Sequence, residues 1–169
     1  LISQSWQTAL SVAKIILQSR PCDTPPQAKA DEELVILGNG PSLNDTMANN
    51  KEFLLARHLL AVNFAANTPI FTELKPKFYM LTDPVFFNRM ELDNVQQLWR
   101  NFAETVDWEM TLFIPTKAKK KGDWFNSVIK NKNITICTYN MTPVEGVQWF
   151  ENMAYNHHWG MPRPRYVLI

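Results

Sequence analysis

Leu34-Val35-Ile36-Leu37-Gly38-Asn39-Gly40-Pro41-Ser42-Leu43-Asn44-Asp45 is the stretch that decides the fold. Its first four residues are apolar and include β-branched Val35 and Ile36, so Glu33–Gly38 reads as a short strand. The strand runs into a glycine/proline turn and then a polar helical segment. An unbroken apolar strand with this exit fits a parallel sheet, whose strands are covered on both faces.

The same alternation extends outward from that stretch. Downstream, Leu59–Asn63, Phe78–Asp83, Met110–Pro115 and Ile134–Tyr139 read as further strands. Between and after them, Glu91–Val106, Asp123–Lys130 and Pro143–Asn156 read as helices, with Pro143 suited to a first turn. Upstream, Ser5–Gln18 sets Trp6, Leu10, Ala13 and Leu17 on one helical face, and Arg20–Ala30, with its three prolines, reads as a linker-like loop. The aromatic positions Trp6, Trp99, Phe102, Trp124, Phe125, Trp149 and Phe150 fit the core faces of their helices. We therefore expect a helix and Pro-rich linker over residues 1–30, followed by a Rossmann-like domain over 31–169. Its class is α/β, three layers around a mainly parallel sheet. The chain opens without Met and stops at Ile169 in mid-pattern, so this domain is expected to be cut from something longer.

Composition narrows the function. The 169 residues are 46% hydrophobic and 20% charged, which suits one globular domain rather than a disordered chain. The 17 basic and 16 acidic residues leave a net charge of +1, which gives no electrostatic footprint for nucleic acid. Cys22 and Cys137 lie far apart, outside any disulfide framework or zinc spacing. Apolar runs fall short of the ~18–20 residues a transmembrane helix needs, and no signal peptide is visible. A cytoplasmic domain is expected.

In an open parallel sheet, ligands bind in the crevice outside the carboxyl ends of the strands. The residues standing there are Gly38, Asn39, Gly40, Pro41 and Ser42 after the first strand, Asn63 after the second and Asp83 after the third. The first group resembles a dinucleotide fingerprint only in part, because Leu43 stands in the third glycine position. The acidic residue that would hold an adenosine ribose about 20 residues later is also missing, and no GK[ST] follows, so neither NAD nor a P-loop nucleotide is expected. Glycines still let a ligand approach the backbone closely, and backbone N–H groups at a helix N-terminus favour an anion. Asn39 adds an amide that both donates and accepts. The alternatives are structural: Ser42 as a helix cap, Asn63 capping a turn, and Asp83 starting one before Pro84.

The stretch LVILGNGPSLND, with AVNFAA and FYMLTDPVFF after it, resembles the N-terminal half of bacterial CMP-sialic-acid-dependent sialyltransferases. It is also similar to the wider superfamily that includes motility-accessory-factor-like and hydroxymethylpterin-pyrophosphokinase-like proteins. The resemblance runs from about Leu34 to Phe87, with a looser echo over Pro162–Ile169. It implies a glycosyltransferase that moves a nonulosonic acid from a CMP donor to a glycan acceptor, with inversion and without a metal or other cofactor. In that family three strand-end asparagines contact CMP. Asn39 and Asn63 match, whereas Asp83 places a carboxylate where the family has an amide. The family's general base and leaving-group tyrosines come from a later segment, so catalytic residues are expected beyond Ile169. The superfamily also supplies an alternative, a pterin pyrophosphokinase using ATP and Mg²⁺, in which Asp83, with Asp45, would favour the metal–phosphate complex. A third reading is a domain that binds nucleotide without catalysis.

Two other groups are weaker. Arg163 and Arg165, after His157-His158-Trp159-Gly160, would meet a sugar carboxylate or phosphate, or else belong to a solvated loop. Lys117, Lys119, Lys120 and Lys121 suit a solvated turn or peripheral contact with an anionic membrane. No spacing of Cys, His or acidic residues suggests a metal site.

Overall fold

The computed structural model describes residues 2–27, 29, 31–38, 40, 42–118 and 123–162. The chain adopts an α/β fold in which a five-stranded, all-parallel sheet is flanked by helices, consistent with the Rossmann-like three-layer class. Helix α1 (Ile2–Gln18) precedes β1 (Leu34–Leu37), α2 (Ser42–Leu55), β2 (His58–Val62) and α3 (Pro69–Leu74). Then come β3 (Phe78–Met80), α4 (Val85–Asn88), α5 (Asp93–Glu104), β4 (Met110–Pro115), α6 (Asp123–Val128) and β5 (Ile134–Tyr139). A two-stranded parallel pair, β6 (Pro143–Val144) and β7 (Met161–Pro162), encloses α7 (Gln148–Asn156).

Two compact units emerge. One comprises Leu1–Asp23, Pro115–Lys117 and Thr138–Ile169; the other comprises Thr24–Ile114 and Ala118–Cys137.

In the larger unit the strands follow one another in space as in sequence, β1-β2-β3-β4-β5. Leu37, Leu59, Ala61, Tyr79, Leu81, Leu112 and Ile114 form one core with Leu54 of α2, Phe71 and Leu74 of α3, and Val95, Leu98, Trp99 and Phe102 of α5. Residues one position out of phase lie outside that cluster: Ile36 is 65% exposed, and Leu60, Phe78, Met80 and Phe113 are half-buried. Aromatic edges fill the core between α3, β3 and α5. Tyr79 and Phe102 centroids lie 4.8 Å apart at 84°, and the Trp99 indole N–H donates to the Phe86 carbonyl at 2.8 Å. Asn131 closes the C-terminal end of α5, its amide donating to the carbonyls of Phe102 and Val106, each at 2.9 Å.

The smaller unit departs from expectation in two places. The helix read from Pro143 begins only at Gln148, and Pro143–Val144 pairs with Met161–Pro162 instead. The reason is the close approach of α1: a Cβ at Gly146 would lie 2.9 Å from Thr8 Cα. The face of α1 carrying Trp6, Leu10, Ala13 and Leu17 is not the one that packs. Trp6 is 65% and Leu17 71% exposed. A polar stripe docks in its place: Ser11 Oγ donates to the Glu145 carbonyl at 2.7 Å and accepts its N–H at 2.9 Å, while Thr8 Oγ1 accepts the Val147 N–H at 3.0 Å. Trp149 is likewise exposed rather than core, whereas Trp99, Phe102 and Phe150 are buried, Phe125 is half-buried, and the side chain of Trp124 lies outside the described residues.

The segment after α1 is tied down at its start. Asn140 accepts the Arg20 N–H at 3.0 Å and donates to the carbonyls of Arg20 and His158, both at 2.8 Å. Asp23 Oδ2 accepts the N–H and hydroxyl of Thr138 at 2.9 and 2.7 Å.

Candidate functional site

Strand register sets the expected residues side by side. Leu37 pairs with Ala61, and Val62 pairs with Met80, so Gly38 leaves β1 level with Val62, and Asn63 leaves β2 level with Leu81. Neighbouring strands lie about 4.8 Å apart, so the exits of β1 and β3 are roughly 10 Å apart, the extent of a nucleoside monophosphate. Gly38, Asn63 and Asp83 thus stand at three adjacent carboxyl ends. Asn39, Pro41, Arg163 and Arg165 lie outside the described residues, as do Lys119, Lys120 and Lys121.

The two turn glycines differ from the packing glycines elsewhere. A Cβ added at Gly160 would press to 2.5 Å on the Thr142 carbonyl oxygen, so that residue must be glycine for space. At Gly38 no described atom lies within 4 Å of the added Cβ, and the backbone is not left-handed. At Gly40 the nearest atom is Ser42 Oγ at 3.7 Å, an ordinary contact. The Gly40 carbonyl accepts the Leu43 N–H at 3.0 Å, leading the chain into α2, with Ser42 exposed at the helix start. Among the described residues, neither steric crowding around the two glycines nor, at Gly38, backbone twist demands glycine there. Both glycines are exposed.

Asn63 is exposed and sits at φ 54°, the left-handed region that asparagine tolerates better than most residues. Tyr79 holds it there. The buried Tyr79 hydroxyl donates to the Asn63 carbonyl at 2.7 Å and accepts the Ala66 N–H at 2.9 Å. Burial pushes this phenol well above the ordinary tyrosine range, so it remains a donor. Asn101 of α5 adds a second brace, its amide donating to the Ala66 carbonyl at 2.8 Å. The Asn63 side chain is therefore presented by a fixed backbone.

Asp83 is exposed at the β3 exit, where Oδ1 accepts the Val85 N–H at 2.8 Å. This is the local turn that Asp before Pro favours. One carboxylate oxygen is thereby committed to the start of α4. Asp45 lies in the first turn of α2, also exposed. His157 and His158 form the turn after α7, with the His157 ring stacked on Trp159 at 4.9 Å.

Beside the turn lies a cleft of about 400 Å³ between α2 and α3. Leu37, Ala61, Ala65, Phe71 and Leu74 line it, with Gly40, Asn44 and Thr68 among its polar or open positions. Asn63 and Asp83 do not line it. Three useful residues escape sequence inspection: Tyr79, Asn44 and Thr68. Tyr79 alone carries a signal, a hydroxyl inside an otherwise apolar strand. Comparison with protein-family models, with curated proteins and with solved structures finds no match to this chain.

Proposed function

We propose that this chain is the nucleotide-binding half of a sugar-nucleotide-dependent glycosyltransferase, similar to the CMP-dependent sialyltransferases. One observation carries it: three adjacent strand ends present an open glycine turn, a braced asparagine and an aspartate. The backbone N–H groups opening α2 suit the donor phosphate, and the Asn63 amide suits a ribose hydroxyl or phosphate oxygen. The donor is the substrate, the acceptor a glycan, and transfer needs no metal in this scheme. Asp83 is the feature that favours the second reading, a pterin pyrophosphokinase, because a strand-end carboxylate suits Mg²⁺–ATP better than a bare phosphate.

Calorimetric titration with CMP, NAD and ATP, each with and without Mg²⁺, separates them. The transferase requires CMP to bind more tightly than NAD and without help from Mg²⁺. Micromolar NAD binding with no response to millimolar CMP excludes it, and ATP binding that appears only with Mg²⁺ favours the kinase.

A further inference from the structure

The cleft between α2 and α3 adjoins the glycine turn, since Gly40 of the turn lines it together with Asn44 of the first turn of α2. Its described lining carries no charged residue. A phosphate or a sugar carboxylate would lose its hydration there without gaining a counter-charge, so any part of a ligand that enters is neutral. The floor of Leu37, Ala61, Phe71 and Leu74 suits a flat apolar ring, and alanine at 61 and 65 keeps the slot open. At about 400 Å³ it falls within the range of small-ligand pockets.

Two polar side chains stand in this lining. Thr68 donates its hydroxyl hydrogen to the Ala65 carbonyl at 2.8 Å, so towards the cleft its oxygen acts as an acceptor. Asn44 is exposed on the first turn of α2, and its amide can donate or accept. A cytosine edge offers one amino donor and two acceptors, which a hydroxyl acceptor and an amide donor complement.

We infer that this cleft receives the pyrimidine base of the nucleotide, with Asn44 as the residue that reads the base edge. The inference rests on the nucleotide-binding function proposed above. It separates two parts of the ligand: the glycine turn takes the anionic part, and the cleft takes the neutral ring. An aliphatic chain would fill the floor but leave Asn44 and Thr68 unused.

The test compares CMP with ribose 5-phosphate, which keeps the anion and lacks the base, on the wild-type chain and on Asn44→Ala. Asn44 is exposed, so its truncation leaves the fold intact, which a thermal melt verifies. Asn44→Ala should weaken CMP about tenfold, the size of one lost hydrogen bond, and leave ribose 5-phosphate unchanged. Equal weakening of both ligands, or no change in either, overturns the base pocket while the nucleotide-binding function stands. A wild-type chain that binds ribose 5-phosphate as tightly as CMP also overturns it. No CMP binding at all removes both proposals together.

Discussion

Asn63 concentrates two demands in one residue: a left-handed backbone at φ 54° and an outward amide. The two can be separated. Glycine accepts this backbone freely, so Asn63→Gly should melt within a few degrees of wild type while removing the amide. We expect CMP affinity to fall about tenfold, or ~1.4 kcal/mol, in that variant. Unchanged affinity in calorimetry would reduce Asn63 to a turn former. Asp83 allows the complementary experiment. Asp83→Asn keeps an oxygen that can accept the Val85 N–H, so stability should move by no more than about 0.5 kcal/mol. It also replaces a carboxylate that repels phosphate with an amide that can donate. CMP binding should strengthen several-fold if the transferase proposal holds, whereas Mg²⁺–ATP binding should weaken if the carboxylate serves a metal. A carboxylate with neither effect is purely a turn residue.

At the scale of elements, what the sequence made legible follows from how local each determinant is. Strands β4 and β5 carry unbroken apolar runs, and their observed limits coincide with the expected ones. Helix α5 was readable because Val95, Leu98, Trp99 and Phe102 face the core at helical spacing. The helix start at Gln148 rather than Pro143 and the exposure of the apolar face of α1 share another cause. Both depend on α1 meeting the Val144–Val147 segment, more than 130 residues away in the chain, through hydrogen bonds of Ser11 and Thr8. A serine and a threonine in a helix carry no periodic signal of that kind, whereas Trp6 and Leu17 do. The strand-end placement of Gly38, Asn63 and Asp83 was legible for the same reason as the strands. The brace was not: Tyr79 acts on Asn63 across neighbouring strands. Tyr79→Phe keeps the ring and leaves the Asn63 carbonyl and Ala66 N–H without this partner. It should cost ~1–3 kcal/mol in denaturant unfolding and weaken CMP as well. Stability unchanged to within experimental error would show that the brace is incidental.

At the scale of the whole molecule, the described part of the smaller unit is held by polar ties rather than a large core. Its buried apolar cluster is Val144, Phe150 and Ala154, whereas Asn140 joins Arg20 and His158 with three hydrogen bonds. Asn140→Ala should therefore destabilise this unit by about 1–3 kcal/mol. Hydrogen exchange should quicken in α1 and α7 and stay slow in β2 and β4, since local openings follow compact units. Uniform acceleration throughout the chain would mean that the units unfold as one.

On the nucleotide-binding function proposed above, the Gly38 turn is open because a nucleotide lies against it. Gly38→Ala tests it most directly, because the added methyl meets no described atom within 4 Å and the backbone there is not left-handed. Replacing glycine under those conditions should leave stability unchanged or raise it by about 0.4–1 kcal/mol. Calorimetric titration of CMP into both proteins should show saturable binding to wild type and at least about tenfold weaker binding to the variant. An equally or more stable Gly38→Ala protein that binds CMP as wild type does, or a wild type that binds none, would contradict it.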